Sequence, residues 1–95
     1  MAPAALVQLD QAREWWLANR DKAPWAFDED VDAVVELLED RPLLVGRALD
    51  RDPRVRRVFL TRIRYYLYFQ LSRDEQVVEV VAFWHGNRGS LPDLR

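Results

Sequence analysis

Apolar and polar residues alternate with a helical period through the first 40 positions. Residues 4–19 predict a helix, because apolar residues recur on one face at Ala5, Leu9, Ala12 and Trp16. A polar break with a proline at residues 21–24 ends it. A second helix is predicted from Pro24 or Trp25 to Glu39, with a buried stripe of Phe27, Val31, Val34, Val35 and Leu38. The short turn between the helices predicts an antiparallel hairpin.

Beyond Pro53 the period changes to two, which is typical of strands. Three strands are predicted: Val55–Leu60, Arg62–Leu71 and Val77–Trp84, with a polar hairpin loop at residues 72–76. The connector from Arg41 to Pro53 is interrupted by proline and glycine. We expect its apolar run to tuck under the core: Leu43, Leu44 and Val45.

The middle strand has two different faces, because side chains alternate along a strand. One face is apolar and should pack on the helices: Ile63, Tyr65, Leu67, Phe69 and Leu71. The other should be accessible: Arg62, Arg64, Tyr66, Tyr68 and Gln70. A helix hairpin followed by an antiparallel meander predicts an α+β fold, which we take as one domain over residues 1–95.

Charge is unevenly distributed along the chain. The 95 residues carry a formal net charge of −2, divided as −6 over residues 1–50 and +4 over residues 51–95. Seven arginines but only one acid, Asp52, lie between Arg51 and Arg73. A planar guanidinium can grip a carboxylate or phosphate through two hydrogen bonds. The segment therefore predicts a basic face for an acidic partner, or else a solvated arginine-rich surface.

Several classes of protein are excluded by composition. The chain has no cysteine and one histidine, so we expect no disulfide, no metal site and no cofactor. No apolar run approaches the roughly 20 residues of a membrane span, and no signal peptide is evident. A cytoplasmic protein is the expectation.

The order of motifs resembles the RelE/ParE superfamily of type II toxins, and its ParE-like, plasmid-stabilisation branch most of all. The resemblance covers nearly the whole chain. It is carried by residues 12–16 with Asn19, Arg20 and Pro24, then 42–46, 55–57, 62–69 and 81–89. It implies a toxin that is neutralised by a cognate antitoxin, which typically wraps a helix or strand around it.

One feature departs from the family pattern. Members usually begin with a strand, whereas Met1-Ala2-Pro3 leads almost directly into the first helix. Either the start is misplaced or the sheet lacks an edge strand. In the second case a neighbouring strand would expose unpaired backbone groups, and that edge or the helix hairpin would be a docking surface for the antitoxin.

The resemblance also implies candidate catalytic residues. Ribonuclease relatives place a Tyr or His near the chain end and use strand arginines to hold the scissile phosphate. His85 matches in type and rough position, Arg64 lies on the predicted middle strand, and Tyr66 or Tyr68 would complete the set. Simpler roles are a strand-end cap for His85 and a carboxylate pair for Arg64. Arg56 and Arg57 should point to opposite faces, so at most one of them can join Arg64.

Further residues are candidates for binding rather than chemistry. Arg62 and Arg88 could contact an anion, and Arg88 could equally bond loop carbonyls. Trp15 should be half exposed, since neighbouring helical positions diverge by about 100°. It could then line a partner groove or simply pack the helix hairpin. Glu79 is a solvent-face residue or a base, and we prefer the former.

Two main functions follow from the resemblance. A ParE-like toxin would bind and poison DNA gyrase, whereas a RelE-like toxin would be a metal-independent endoribonuclease that cuts mRNA on the ribosome. The acidic pI of 5.3 and the single lysine favour the binding toxin, because ribosome binding rewards positive charge. A third possibility is an inactive member that binds only its antitoxin. The oligomeric state stays open.

Overall fold

Two helices are followed by an antiparallel sheet in the computed structural model, which describes residues 1–20, 23–73 and 77–86. Helix α1 spans Pro3–Asn19 and α2 spans Trp25–Asp40. A short 3-10 turn, Pro42–Leu44, follows. The strands are β1 Arg47–Ala48, β2 Val55–Leu60, β3 Tyr65–Leu71 and β4 Val78–His85. Both helices lie within about one residue of their predicted bounds, and the predicted α+β class is confirmed.

The four strands form a meander in the order β1-β2-β3-β4, with every neighbouring pair antiparallel. The register between β3 and β4 shifts near Tyr68 and Phe69, so Val81 is an extra residue on β4. No strand precedes α1 in the described part of the chain, as predicted. The two-residue strand β1 was not predicted, because it lies inside the connector and is too short to show a period.

The main core lies between the helices and one face of the sheet. The predicted stripe of α1 is confirmed, since Ala5, Leu9, Ala12 and Trp16 are buried. Phe27 of α2 is fully buried and its ring contacts those of Trp16, Tyr65 and Phe83. The other predicted residues of the α2 stripe are buried except Val35, which is partly buried.

The opposite face of the sheet, here called the outer face, has a small core of its own. Leu49, just after β1, packs there with Val55, Tyr68 and Ala82. Tyr68 is only 1% exposed, so the prediction that it is accessible was wrong. The reason is that Leu49 and its neighbours cover this part of the sheet.

The connector also differs from its prediction. Leu43 and Leu44 are 54% and 78% exposed, and only Val45 reaches the core. The 3-10 turn explains this difference, because the Leu44 N–H bonds the Arg41 carbonyl and holds both leucines outward.

The start of the middle strand was predicted three residues too early. Thr61–Arg64 form a tight turn that reverses the chain between β2 and β3. Arg64 has a φ of +64°, and its N–H donates to the Leu60 carbonyl at 2.7 Å. Arg62 and Arg64 therefore lie on the turn rather than on β3. Ile63 is buried between these two exposed arginines. The turn therefore has the same polar–apolar alternation as a strand, which explains the wrong prediction.

Candidate functional site

Two of the candidate residues, Arg64 and His85, meet at one end of the sheet. His85 ends β4 directly opposite Tyr65. The Gly86 N–H donates to the Arg64 carbonyl at 2.9 Å, which joins the end of β4 to the turn before β3. Arg64 is exposed, and its side chain makes no hydrogen bond or ion pair with any residue that the structure describes. The fold therefore brings the backbones of Arg64 and His85 together.

His85 lies on the helix-facing side of the sheet. Its ring meets the Tyr65 ring edge-on at 4.9 Å between centroids, and Tyr65 stacks on Phe83 at 4.8 Å. A pocket of about 370 Å³ lies between β4 and α1, lined by Gln8, Gln11, Ala12, Trp15, Tyr65, Phe83, Trp84 and His85. Trp15 is 46% exposed at this pocket, which confirms the predicted half exposure.

Tyr66 faces the other way. It pairs with Phe59 on β2 and Trp84 on β4, and it packs with the small core on the outer face. His85 and Tyr66 therefore lie on opposite faces of the sheet. The structure therefore does not bring the side chains of His85, Tyr66 and Arg64 together in one site. Tyr65, not Tyr66, is the tyrosine on the same face as His85.

Arg56 and Arg57 point to opposite faces, as predicted. The Arg56 guanidinium donates to the carbonyls of Val45 and Gly46 at 3.3 and 2.8 Å, which ties β2 to the connector. Arg57 lies over the Tyr66 ring, 4.3 Å from its centroid. Arg57 rather than Arg56 is thus available on the outer face.

Arg62 binds the acidic start of α2. Its guanidinium donates to both carboxylate oxygens of Asp30 and, at 3.0 Å, to Glu29. These carboxylates raise the pKa of Arg62 above its ordinary value. Arg62 therefore fastens the turn to α2, a role that the sequence analysis had considered for Arg64. Farther away, the hydrogen bond from Arg54 lowers the pKa of Asp52.

The edge of the sheet at β4 is partly covered. The Ala2 N–H donates to the Val80 carbonyl at 2.8 Å, and the Phe83 N–H donates to Oε1 of Gln8 at 2.7 Å. The residues before and within α1 thus bind two of the backbone groups that the sequence analysis expected to be open. At the other edge, β1 is only two residues long, which limits pairing with another chain.

Other candidates have no defined place in the site. Arg88 lies outside the described residues, as does Lys22. Glu79 is exposed near the start of β4, away from His85. Among residues 1–20, 23–73 and 77–86, no three His, Asp or Glu side chains are grouped so that they could hold a metal ion. No described helix is both long enough and apolar enough to cross a membrane.

The sequence matches one known protein family over nearly its whole length. Residues 1–89 match the family described as the ParE toxin of the type II toxin–antitoxin system, parDE. The chain belongs to the ParE toxin family. A search of curated proteins finds no match. The α+β arrangement agrees with the fold that the RelE/ParE resemblance implied, and membership makes this chain the toxin of a type II pair with an antitoxin as its partner.

A set of residues on the outer face of this ParE-family toxin was not predicted from the sequence. Arg47 of β1 lies directly opposite Arg57. Phe59, Tyr66 and Trp84 lie side by side on three neighbouring strands. The alternation within each strand was visible in the sequence. The register that aligns the strands was not, because it depends on the turn at Arg64 and on the unpredicted β1.

Proposed function

We propose that this ParE-family toxin arrests growth in the cytoplasm by binding DNA gyrase, without itself cleaving a substrate, until an antitoxin neutralises it. The observation that carries the proposal is the separation of proton-transfer candidates. His85 is on the helix-facing side of the sheet, whereas Tyr66 is on the outer face, and Tyr65, the tyrosine on the side of His85, is stacked on Phe83. A general acid and base must both reach the same reacting atoms. Binding needs no such convergence.

The runner-up is a ribosome-dependent endoribonuclease. One observation favours it: the Arg64 side chain is exposed and unpaired among the described residues, beside the end of β4 where His85 lies. An arginine in this position could stabilise charge on a scissile phosphate. His85 could then exchange a proton with the nucleophile or leaving group.

A supercoiling assay with purified toxin tests the gyrase proposal. Increasing toxin should reduce supercoiling of relaxed plasmid by gyrase, and a molar equivalent of the antitoxin encoded beside it should restore activity. Relaxation by a type I topoisomerase should be unaffected. The His85→Ala variant should inhibit gyrase like the wild type. Full supercoiling at saturating toxin would reject the proposal.

Primer extension on translated mRNA tests the alternative that the toxin is a ribosome-dependent endoribonuclease. Codon-linked cuts after induction, abolished in Arg64→Ala and in His85→Ala, would establish the ribonuclease instead. Unimpaired growth when the toxin is expressed without its antitoxin would indicate an inactive member. We expect growth arrest and no cuts.

We further propose that the antitoxin covers a groove between α2 and β2. This groove, of about 330 Å³, includes Val34, Leu37, Val45 and Val58, and Leu37 remains 51% exposed. Leu43 and Leu44, in the exposed 3-10 turn, directly precede Val45 of the groove lining. Glu36, Glu39 and Asp40 of α2 lie beside the groove, in a neighbouring depression that shares Ala33 and Leu37 with it, whereas Asp30 in the groove is already bound by Arg62. An amphipathic antitoxin segment with apolar residues flanked by basic ones would complement this surface.

A further inference from the structure

The outer face carries two adjacent rows of side chains that suit an unpaired nucleic acid strand. The aromatic row consists of Phe59, Tyr66 and Trp84, one residue from each of β2, β3 and β4. The Phe59 and Tyr66 rings lie 4.8 Å apart. All three side chains are partly exposed. Since neighbouring strands lie about 4.8 Å apart, this row spans about 10 Å.

The second row begins with the arginine pair, Arg47 and Arg57, which face each other across β1 and β2. Like charges directly opposite each other on a sheet are destabilising. Neither arginine forms an ion pair with a residue in the described part of the chain. The Arg57 guanidinium instead lies over the Tyr66 ring, 4.3 Å from its centroid. This is a cation pair held beside stacking surfaces, with its charge available to an anion.

Most charged residues in the surrounding segment are basic. Residues 47–73 contain eight arginines and two acids, and one of those acids, Asp52, is paired with Arg54; of the arginines, Arg56 lies on the other face and Arg62 is bound to Asp30 of α2. Glu79 is the acid on β4, and it pairs with Gln70, beyond Tyr68 from the aromatic row. The acids of α2 lie on the helices, which cover the other face of the sheet. The outer face therefore combines positive charge with aromatic rings.

We propose that the outer face binds single-stranded DNA, with two or three bases stacked on the aromatic row and phosphates held by the arginine pair. An acidic peptide would use the arginines but would leave the rings without a matching surface. Bases offer flat faces to aromatic rings, and their phosphates lie within reach of arginine. This inference extends the proposed function: the toxin would contact a strand of the DNA that gyrase holds.

Fluorescence anisotropy with labelled dT12 and the full-length toxin tests the inference without gyrase. Wild-type toxin should bind saturably, with affinity that falls as salt rises. Replacing both Arg47 and Arg57 by Gln should reduce the slope of log K against log salt by about 1.4, because each phosphate contact on a single strand contributes about 0.7. Trp84→Leu should weaken binding by about 5- to 150-fold.

Two control variants show whether any loss of DNA binding is specific to the outer face or follows from removing any exposed arginine or tryptophan. Arg20→Gln removes an arginine that lies over the Trp15 ring of α1, 5.5 Å from its centroid. Trp15→Leu removes a half-exposed tryptophan from the same helix. Both should bind dT12 like the wild type. Circular dichroism of every variant checks the fold.

Three results would overturn the inference: no binding of dT12, an unchanged salt slope in the double arginine variant, or equal losses in the face and control variants. Binding of a glutamate-rich peptide without dT12 binding would assign the face to an acidic protein instead. Gyrase inhibition is scored separately. Wild-type binding of dT12 with no inhibition of gyrase would keep this inference and reject the proposed target.

Discussion

Gly46 has a backbone conformation that other residues adopt only with strain. Its φ is +70°, and a Cβ atom would lie 2.3 Å from the Arg57 carbonyl oxygen. That oxygen belongs to the neighbouring strand, so a side chain would displace β1 from β2. We expect Gly46→Ala to lower the free energy of unfolding by at least about 1–3 kcal/mol, the cost of such backbone strain. Urea denaturation followed by circular dichroism measures the loss.

Gly86 provides a control in the same chain. An added Cβ would lie 2.7 Å from Cε1 of Phe59 and 3.1 Å from the Arg64 carbonyl oxygen. The closer contact is the end of a side chain, which can move more readily than a strand backbone. Gly86→Ala should therefore destabilise the protein less than Gly46→Ala. The reverse order would contradict the explanation based on the β1–β2 contact.

The packing of α2 on the sheet depends on Phe27. Its ring is fully buried and lies 5.8–6.4 Å, between centroids, from three other aromatic rings. Phe27→Ala should cost about 3–5 kcal/mol, because it leaves a cavity where these rings meet. That is a large part of the about 5–15 kcal/mol that stabilises a typical domain.

Trp25 is the matched control for Phe27, since it is an aromatic residue on the same helix with 60% of its surface exposed. Trp25→Ala should change the free energy of unfolding by no more than about 0.5 kcal/mol. Thermal and urea unfolding of both variants compare the two positions. Similar losses in both would show that Phe27 is not the centre of the helix–sheet contact.

The elements that the sequence predicted best are those with a long, uninterrupted period. The stripe from Ala5 to Trp16 spans three helical turns, and all four of its apolar residues are buried in the folded protein. Strand β2 was predicted with its correct bounds, since Pro53 precedes it and a turn follows. In these cases local pattern and burial agree.

Short elements could not be predicted in this way. Ile63 is a buried residue in a turn. Because it lies between two exposed arginines, the polar–apolar alternation there is the same as in a strand. The exposure of Leu43 and Leu44 depends on a 3-10 turn whose hydrogen bonds no hydrophobic pattern records. Candidate site residues depend on both features. The sequence therefore identified Arg64 and His85 as candidates and put Tyr66 on the accessible face, but it did not show that His85 lies on the opposite face, toward the helices.

Across the whole molecule, the two proposed binding surfaces differ in charge. Acidic residues of α2 border the apolar groove, whereas arginines surround the aromatic row on the outer face. Attraction between complementary charges steers a partner toward a matching surface. An antitoxin in the groove and a DNA strand on the outer face would thus have opposite charges at their contacts. Substitutions should then separate neutralisation from toxicity.

Leu37 and Leu44 test that separation. Each is at least half exposed, and burying such a side chain against a partner contributes about 1–2 kcal/mol. Leu37→Ser and Leu44→Ser should each weaken binding of the antitoxin encoded beside the toxin by about tenfold, as measured by calorimetry. Both variants should still arrest growth, because neither changes the outer face.

Val7 of α1 supplies the comparison, since it is apolar and 56% exposed but lies on a helix that contributes no residue to the groove, whereas Leu44 directly precedes Val45 of the groove lining. Val7→Ser should bind the antitoxin like the wild type. Expression of each toxin with a limiting amount of antitoxin gives a second measurement. Cells with Leu37→Ser or Leu44→Ser should stop growing at antitoxin levels that still protect cells with Val7→Ser. If Val7→Ser is instead the variant that escapes neutralisation, the antitoxin contacts α1 and the groove is not its site.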